Sequence, residues 1–279
     1  MHQQSVLARA IKKIVFRPFL KHRKLQSLWS RLHTLAVFAM NYGGGGLIAN
    51  SGEIWALSHV VREACKGKQT PVVFDVGANV GDYSLLVKQL LPSARVYAFE
   101  PARSTYQQLV EHLKEAGSDV RPLNFGFSDT DKVVDLFAYE TEGQETTLLS
   151  SIDPRRPTAV IEVNPISSEQ VEVTTLDQFC ATEGIDHIDF LKLDVEGHEL
   201  AILNGARRLL AEGAISIVQF EFGPGNIYSR TFFFDFWSLL SSFTIYRILP
   251  EGVFPIRYYG EHREIFLTTN YLAVKNRDS

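Results

Sequence analysis

Val72-Val73-Phe74-Asp75-Val76-Gly77-Ala78-Asn79-Val80-Gly81-Asp82-Tyr83 is the stretch whose reading decides the fold. An apolar run closes on an acid, a turn follows with glycines four residues apart, and an amphipathic helix begins. A second run, Arg95-Val96-Tyr97-Ala98-Phe99, ends in Glu100, nineteen residues past Gly81. This is the layout of a nucleoside-binding α/β domain. Glycines let the backbone approach a ligand closely, and an acid at the end of the next strand can grip two ribose hydroxyls.

Outward from that stretch, strand and helix patterns alternate. Strand 71–76 leads to helix 81–91, strand 95–99, helix 102–116, strand 119–125 and a strand at 132–138 rich in Val and Phe. Residues 140–169, with Pro154, Pro157, Pro165 and many Ser and Thr, read as irregular. Strand 170–173, helix 175–183, strand 188–193, helix 199–211, strand 215–221 and an aromatic helix at 231–241 follow. Strands near 243–249 and 264–274 complete the order. Such alternation predicts a mostly parallel sheet with helices on both faces, and a ligand site beyond the carboxyl ends of the strands. Asp75, Glu100, Asp194 and Glu221 each end a strand there.

Upstream, two helical segments are expected over residues 4–40, broken near Arg17-Pro18. The run Gly43-Gly44-Gly45-Gly46 is too costly in entropy to sit inside an element and reads as a joint, either a plain linker or a hinge beside the site. A helix is expected from Ser51 to about Lys66. The division is therefore an N-terminal extension with its joint over 1–50 and a main domain over 51–279.

The composition, 45% apolar and 22% charged over 279 residues, is that of a chain with a real core. Cys65 and Cys180 have no partner pattern, which fits a reducing cytoplasm and neither a disulfide framework nor a zinc site. No apolar run reaches the roughly 18 residues of a membrane span. The net charge of -4 hides an asymmetry: residues 1–33 hold eight Lys/Arg and no acid, against 20 basic and 32 acidic groups in the remainder. Two readings stay open for this basic, apolar-interleaved leader. One is a helical extension with a solvated face; the other is peripheral contact with an anionic membrane, at the inner surface for a cytoplasmic protein. No nucleic-acid partner is expected, because the basic groups come with no recognisable module.

A dinucleotide turn needs G-x-G-x-x-G; here Asn79 stands at the middle glycine, and the turn carries Asp75 and Asp82 in place of Lys or Arg. An acidic turn suits a ligand with a cationic amino group and a sulfonium and no phosphate, which describes S-adenosylmethionine. Segments 74–84, Ala98-Phe99-Glu100-Pro101 and Leu191-Lys192-Leu193-Asp194-Val195-Glu196-Gly197-His198-Glu199 resemble the FkbM-type methyltransferases. Asn124-Phe125-Gly126-Phe127-Ser128-Asp129 and Thr174-Thr175-Leu176-Asp177 resemble them too, the likeness spanning about 51–222. The resemblance implies a class I methyltransferase (Rossmann-like) fold with a seven-stranded sheet and S-adenosylmethionine as cofactor. It further implies O-methylation of a hydroxyl on a sugar, glycolipid or polyketide-type acceptor.

On that reading Gly77 and Gly81 shape the turn under the methionine half, with Asn79 and Tyr83 close by. Asp75 holds the amino group and Glu100 the ribose, while Asn124, Ser128 and Asp129 border the adenine. Asp194 is catalytic or engaged with the cofactor amine, Glu196 sits at the mouth, and His198 is the candidate base for the acceptor hydroxyl. Glu199 reads as a helix-start charge. Asp194, Glu196 and Glu221 are candidate oxygen ligands for Mg²⁺. Ser150, Ser151, Tyr228 and Tyr258 are candidate acceptor neighbours, and the cluster from Phe232 to Trp237 reads as helix core or as a binding slot. Two rival functions remain: a non-catalytic cofactor-binding scaffold, and a nicotinamide-dependent oxidoreductase, which the missing glycine disfavours.

Overall fold

The computed structural model describes residues 21–46, 48–139, 149–151 and 165–276. It divides into two compact units, residues 1–42 and 43–279. In the first, the described part forms helix α1 (Gln26–Ala39); the helix expected upstream of residue 21 and the break at Arg17-Pro18 lie outside the described residues.

The second unit begins with the glycine run, which is tied down. The N–H of Gly45 donates to the Thr268 carbonyl, and Asn270 Nδ2 donates to the Gly45 carbonyl. A Cβ on Gly45 would stand 3.0 Å from the Thr268 oxygen. This glycine serves a close backbone approach, a cause the composition alone does not distinguish from a linker. The helix expected from Ser51 comes in pieces: α2 (Ile48–Ser51), α3 (Glu53–Ala56), a π-helical turn Leu57–Val61, and α4 (Arg62–Ala64). The break falls at Gly52, in the left-handed region with φ of 89°, where a Cβ would overlap the Leu249 carbonyl oxygen.

The strands are β1 (Val72–Val76), β2 (Arg95–Phe99), β3 (Arg121–Leu123), β4 (Gly126–Phe127), β5 (Lys132–Tyr139), β6 (Leu149–Ser151), β7 (Pro165–Thr174), β8 (Ile188–Leu193), β9 (Ile215–Phe222), β10 (Phe243–Leu249), β11 (Gly252–Pro255) and β12 (Thr269–Lys275). Between them lie α5 (Asp82–Leu90), α6 (Arg103–Glu115), α7 (Leu176–Glu183), α8 (Glu199–Asn204), α9 (Arg207–Ala211), α10 (Gly225–Tyr228) and α11 (Phe233–Leu239). The main sheet runs β11-β10-β12-β9-β8-β1-β2-β3. Strands β3, β2, β1, β8 and β9 are parallel, and β12 enters antiparallel between β9 and β10. This is the class I methyltransferase fold. The expected seven strands become eight, because β11 forms a hairpin on β10. Every residue of β1 and β8 is buried, as a central parallel strand requires.

A second sheet, β4-β7-β5-β6, was not expected. The stretch 140–169 that reads as irregular lies mostly outside the described residues, but β6 and the first half of β7 fall within it. The predicted helix 199–211 is split at Gly205, where a Cβ would stand 2.1 Å from the Ser128 carbonyl oxygen. Phe233 and Phe236 of the aromatic helix are buried, their rings against Phe222 and Phe220, so the core reading holds for them, while Phe232 and Phe234 are exposed.

Candidate active site

β1 ends over the turn Gly77–Gly81. The N–H groups of Gly77 and Ala78 both donate to the Phe99 carbonyl at 3.0 Å, Gly81 N–H donates to Ala78, and Asn79 N–H donates to Glu100 Oε2 at 3.1 Å. These donors are spent inside the protein, so the turn offers no row of N–H groups to a pyrophosphate, in accord with the missing glycine. Gly77 has φ of 80°, and a Cβ there would overlap the Asp194 carbonyl oxygen; Gly81 has φ of 94°, and its Cβ would stand 2.6 Å from Leu109 Cδ1. Both glycines therefore serve chain-to-chain packing. Asn79 also lies in the left-handed region, at φ of 50°.

Glu100 is buried at the end of β2, its Oε1 accepting from Ala102 N–H at 2.9 Å and its Oε2 from Asn79 N–H. Each oxygen keeps a further acceptor position, which suits a pair of ribose hydroxyls. Burial pushes the carboxyl up to about 7, against the pull of those two backbone bonds. Asn124 Nδ2 donates to the carbonyls of Glu100 and Pro101, fixing the chain after β2.

Beneath the turn lies a buried polar cluster. Asp75 is fully buried, with Oδ2 accepting from Ser84 Oγ at 2.7 Å and Oδ1 3.8 Å from Lys192 Nζ. It is enclosed under the turn, where burial raises its carboxyl and Lys192 is its charged neighbour. Lys192 Nζ donates to Asp194 Oδ2 at 2.9 Å and stands 4.8 Å from the Tyr83 ring centre. Burial alone would lower Lys192, but Asp194, Asp75 and Glu53 outweigh it and hold the ammonium well above its ordinary range. Tyr83 is buried too; its hydroxyl donates to Gln219 Oε1, and Gln219 Nε2 donates to Glu53 Oε1 at 2.7 Å. Asp194 is the half-exposed member, its side chain 43% accessible. Carboxylates outnumber Lys192 in this cluster, so a cationic ligand fits beside it. S-adenosylmethionine meets each of these tests: a ribose for Glu100, a positive end for Asp194, and no phosphate.

The turn after β8 is wedged between two other loops. Glu196 sits at φ of 57° and Gly197 at 108°. A Cβ on Gly197 would stand 2.7 Å from Gly225, and one on Gly225 would stand 2.5 Å from the Glu196 oxygen. Glu199, fully buried, accepts from Val195 N–H at 3.2 Å and Gly197 N–H at 3.1 Å through Oε1. It is therefore an internal brace, which the helix-start reading missed. Its Oε2 has no hydrogen-bond partner, and burial pushes the carboxyl up to about 7. Glu221 is pushed well above its ordinary range by burial and by Asp194, Glu196, Glu199 and Glu53. Among the described residues no three His, Cys, Asp or Glu side chains gather to hold a metal ion, so the expected Mg²⁺ set does not form.

His198 Nε2 lies 2.9 Å from Ser128 Oγ, and Ser128 Oγ donates to Asp129 Oδ1 at 3.0 Å. The donor in the Ser128–His198 bond is set by the imidazole tautomer; with the serine proton directed at Asp129, the imidazole would donate from Nε2 and carry its lone pair on Nδ1. The hydrogen bond from Lys132 holds Asp129 down at about 2, so it stays ionised. Ser128, expected with Asp129 to border the adenine, hydrogen-bonds both Asp129 and His198. Beside them opens a hollow of about 240 Å³, lined by the polar residues Asp129, His198, Asn204, Ser229 and Thr231 together with Gly197, Leu200 and Ala201. Tyr228 and Tyr258 are not among its lining residues. The side chains of Ser150 and Ser151 lie outside the described residues. Lys192, Glu53 and Glu199 were missed as site members, although a Lys inside the apolar strand Ile188–Leu193 was a signal that a buried counter-charge exists.

Comparison with known proteins bears on the same residues. The family described as "Methyltransferase FkbM domain" matches residues 75–247. Methyltransferase sdnD of Sordaria araneosa is 30% identical over 56% of this chain and 68% of its own length. Hexuronic acid methyltransferase AglP of Haloferax volcanii is 26% identical over 57% of this chain, which spans only 59% of that protein. The 2-O-methyltransferase NoeI of Sinorhizobium fredii is 26% identical over 67% of this chain and 77% of its own length.

Proposed function

Since the chain belongs to the FkbM methyltransferase family, a group of S-adenosylmethionine-dependent enzymes, we propose that it methylates a hydroxyl oxygen of a polyhydroxylated, sugar-type acceptor. The observation that carries this reading is the polar hollow at His198, whose lining includes Asp129, Asn204, Ser229 and Thr231, side chains able to donate and accept hydrogen bonds. The names of two relatives, a hexuronic acid methyltransferase and a 2-O-methyltransferase, support the same acceptor class.

When bound, the cofactor supplies a sulfonium methyl with an excellent leaving group, so alignment and exclusion of water account for most of the acceleration. Glu100 holds the ribose. Asp194, oriented by Lys192, faces the cationic end. A sugar hydroxyl must lose its proton as it attacks, and His198 Nδ1 takes it. The resulting imidazolium is stabilised through Ser128 by the ionised Asp129, while the hydrogen bond at Nε2 fixes the ring.

The test is transfer of labelled methyl from S-adenosylmethionine to a panel of free sugars, uronic acids, nucleotide sugars and glycolipid extracts, with the product bond identified by mass spectrometry. A methyl ether on a sugar ring is expected. Methyl esters or methylamines as the sole products would overturn the reading, and binding of S-adenosylhomocysteine without transfer to any acceptor would favour the scaffold. His198→Ala should lower kcat by about 10²–10⁴-fold, with little change in S-adenosylhomocysteine affinity.

A further inference from the structure

Helix α1 carries an apolar face that is exposed among the described residues. Leu28, Leu32, Leu35 and Phe38 are 50%, 43%, 62% and 73% exposed. At 3.6 residues per turn their side chains fall within about 120° of arc, with Arg31 among them. Large apolar side chains scattered singly over a surface mean little, but four on one helical face mark an interaction site. The charge around them selects the partner. The sequence from residue 1 to residue 33 holds eight Lys/Arg and no acid, and the first acid is Glu53. A second copy of this segment would bring eight more cations to the contact. An anionic lipid surface satisfies both features, taking the leucines and the phenylalanine below the headgroups and the basic groups among the phosphates.

We propose that α1, with Lys21, Arg23 and Lys24 just before it and Arg31 on its apolar face, is a peripheral membrane-binding element that seats this protein on an anionic bilayer. The proposal is independent of the acceptor reading, because it concerns a unit distinct from the one holding the site. The test uses the full chain and flotation with vesicles of phosphatidylcholine alone or mixed with phosphatidylglycerol. Binding is expected with the mixed vesicles, and omission of the anionic lipid should weaken it by more than about tenfold. At about 1 M salt, where the screening length falls to about 3 Å, binding should be largely lost. The double variant Leu35→Glu, Phe38→Glu should release the protein from mixed vesicles while leaving its S-adenosylhomocysteine affinity unchanged, since both side chains are exposed. Equal affinity for both vesicle types, or no binding to either, overturns the proposal. So does a dimer in solution that the double variant converts to monomer without any vesicle binding, which would assign the face to a second copy of the chain.

Discussion

At the scale of single residues, Glu199 does more than its position suggests. It closes one hydrogen bond to each side of Glu196, and Glu196 holds a left-handed conformation that non-glycine residues adopt at a cost. The turn is further confined by Gly225, whose lack of a Cβ admits the Glu196 carbonyl. Removing the brace should let the turn relax and move Glu196 and its neighbours Asp194 and His198. Glu199→Leu, similar in size, leaves one buried and one part-buried N–H group without an acceptor and should cost about 2–4 kcal/mol. Glu199→Gln keeps an acceptor oxygen for both and should stay within about 1 kcal/mol of the parent. Denaturation midpoints give the stability difference, and hydrogen exchange at Val195 and Gly197 reports on the turn itself. Equal protection of those two amides in both variants would remove Glu199 from this role.

At the scale of elements, Asp177 fastens two helices together. It lies in the first turn of α7, and its carboxylate accepts from Arg208 N–H at 2.8 Å and Leu209 N–H at 3.0 Å, which caps α9. Thr175 caps α7 in turn by accepting from Gln178 N–H. Asp177→Ala should cost about 1–2 kcal/mol of stability and leave S-adenosylhomocysteine affinity unchanged, as read by chemical denaturation and calorimetry. These elements also show where sequence is informative. β1 and β2 are legible because an apolar run leads to an acid at a turn, and β8, although it holds Asp189 and Lys192, closes the same way at Asp194. The first half of β7 is not, because Pro165, Ser167 and Ser168 look like loop, and only pairing with β5 makes them strand, whereas its second half reads as a strand at 170–173. The break at Gly205 is hidden inside a helical period, since its cause is the Ser128 carbonyl, far away in sequence. The site divides in the same way. Glu100 and Asp194 stand at strand ends, where local pattern suffices. The burial of Asp75 beneath the turn, the link from Ser128 to His198 and the brace from Glu199 are tertiary facts, and an acid at a helix start reads the same whether exposed or enclosed.

At the scale of the whole molecule, the buried carboxyls couple stability and ligand binding to pH with opposite signs. Burial raises Glu100 and Glu199 from the ordinary 4.5 to about 7. The folded state then holds these protons more tightly than the unfolded chain. Their stabilising contribution is complete below about pH 4.5 and is lost as pH rises toward about 7 and beyond, by up to about 3 kcal/mol for each group. The ligand-free Tm should accordingly fall between about pH 5 and 8, and Glu199→Gln should flatten part of that fall. Cofactor binding runs the other way at Glu100. Ribose hydroxyls donate to the carboxylate and favour its ionised form, so S-adenosylhomocysteine affinity should rise as pH passes through about 7. Glu100→Gln should weaken binding and abolish its pH dependence; Glu199→Gln should preserve it. Calorimetric titrations of the parent and both variants across this range separate the two groups. A pH-dependent affinity that persists in Glu100→Gln would place the coupling at another carboxyl, and Glu221, crowded by Asp194, Glu196, Glu199 and Glu53, is the one the geometry puts next.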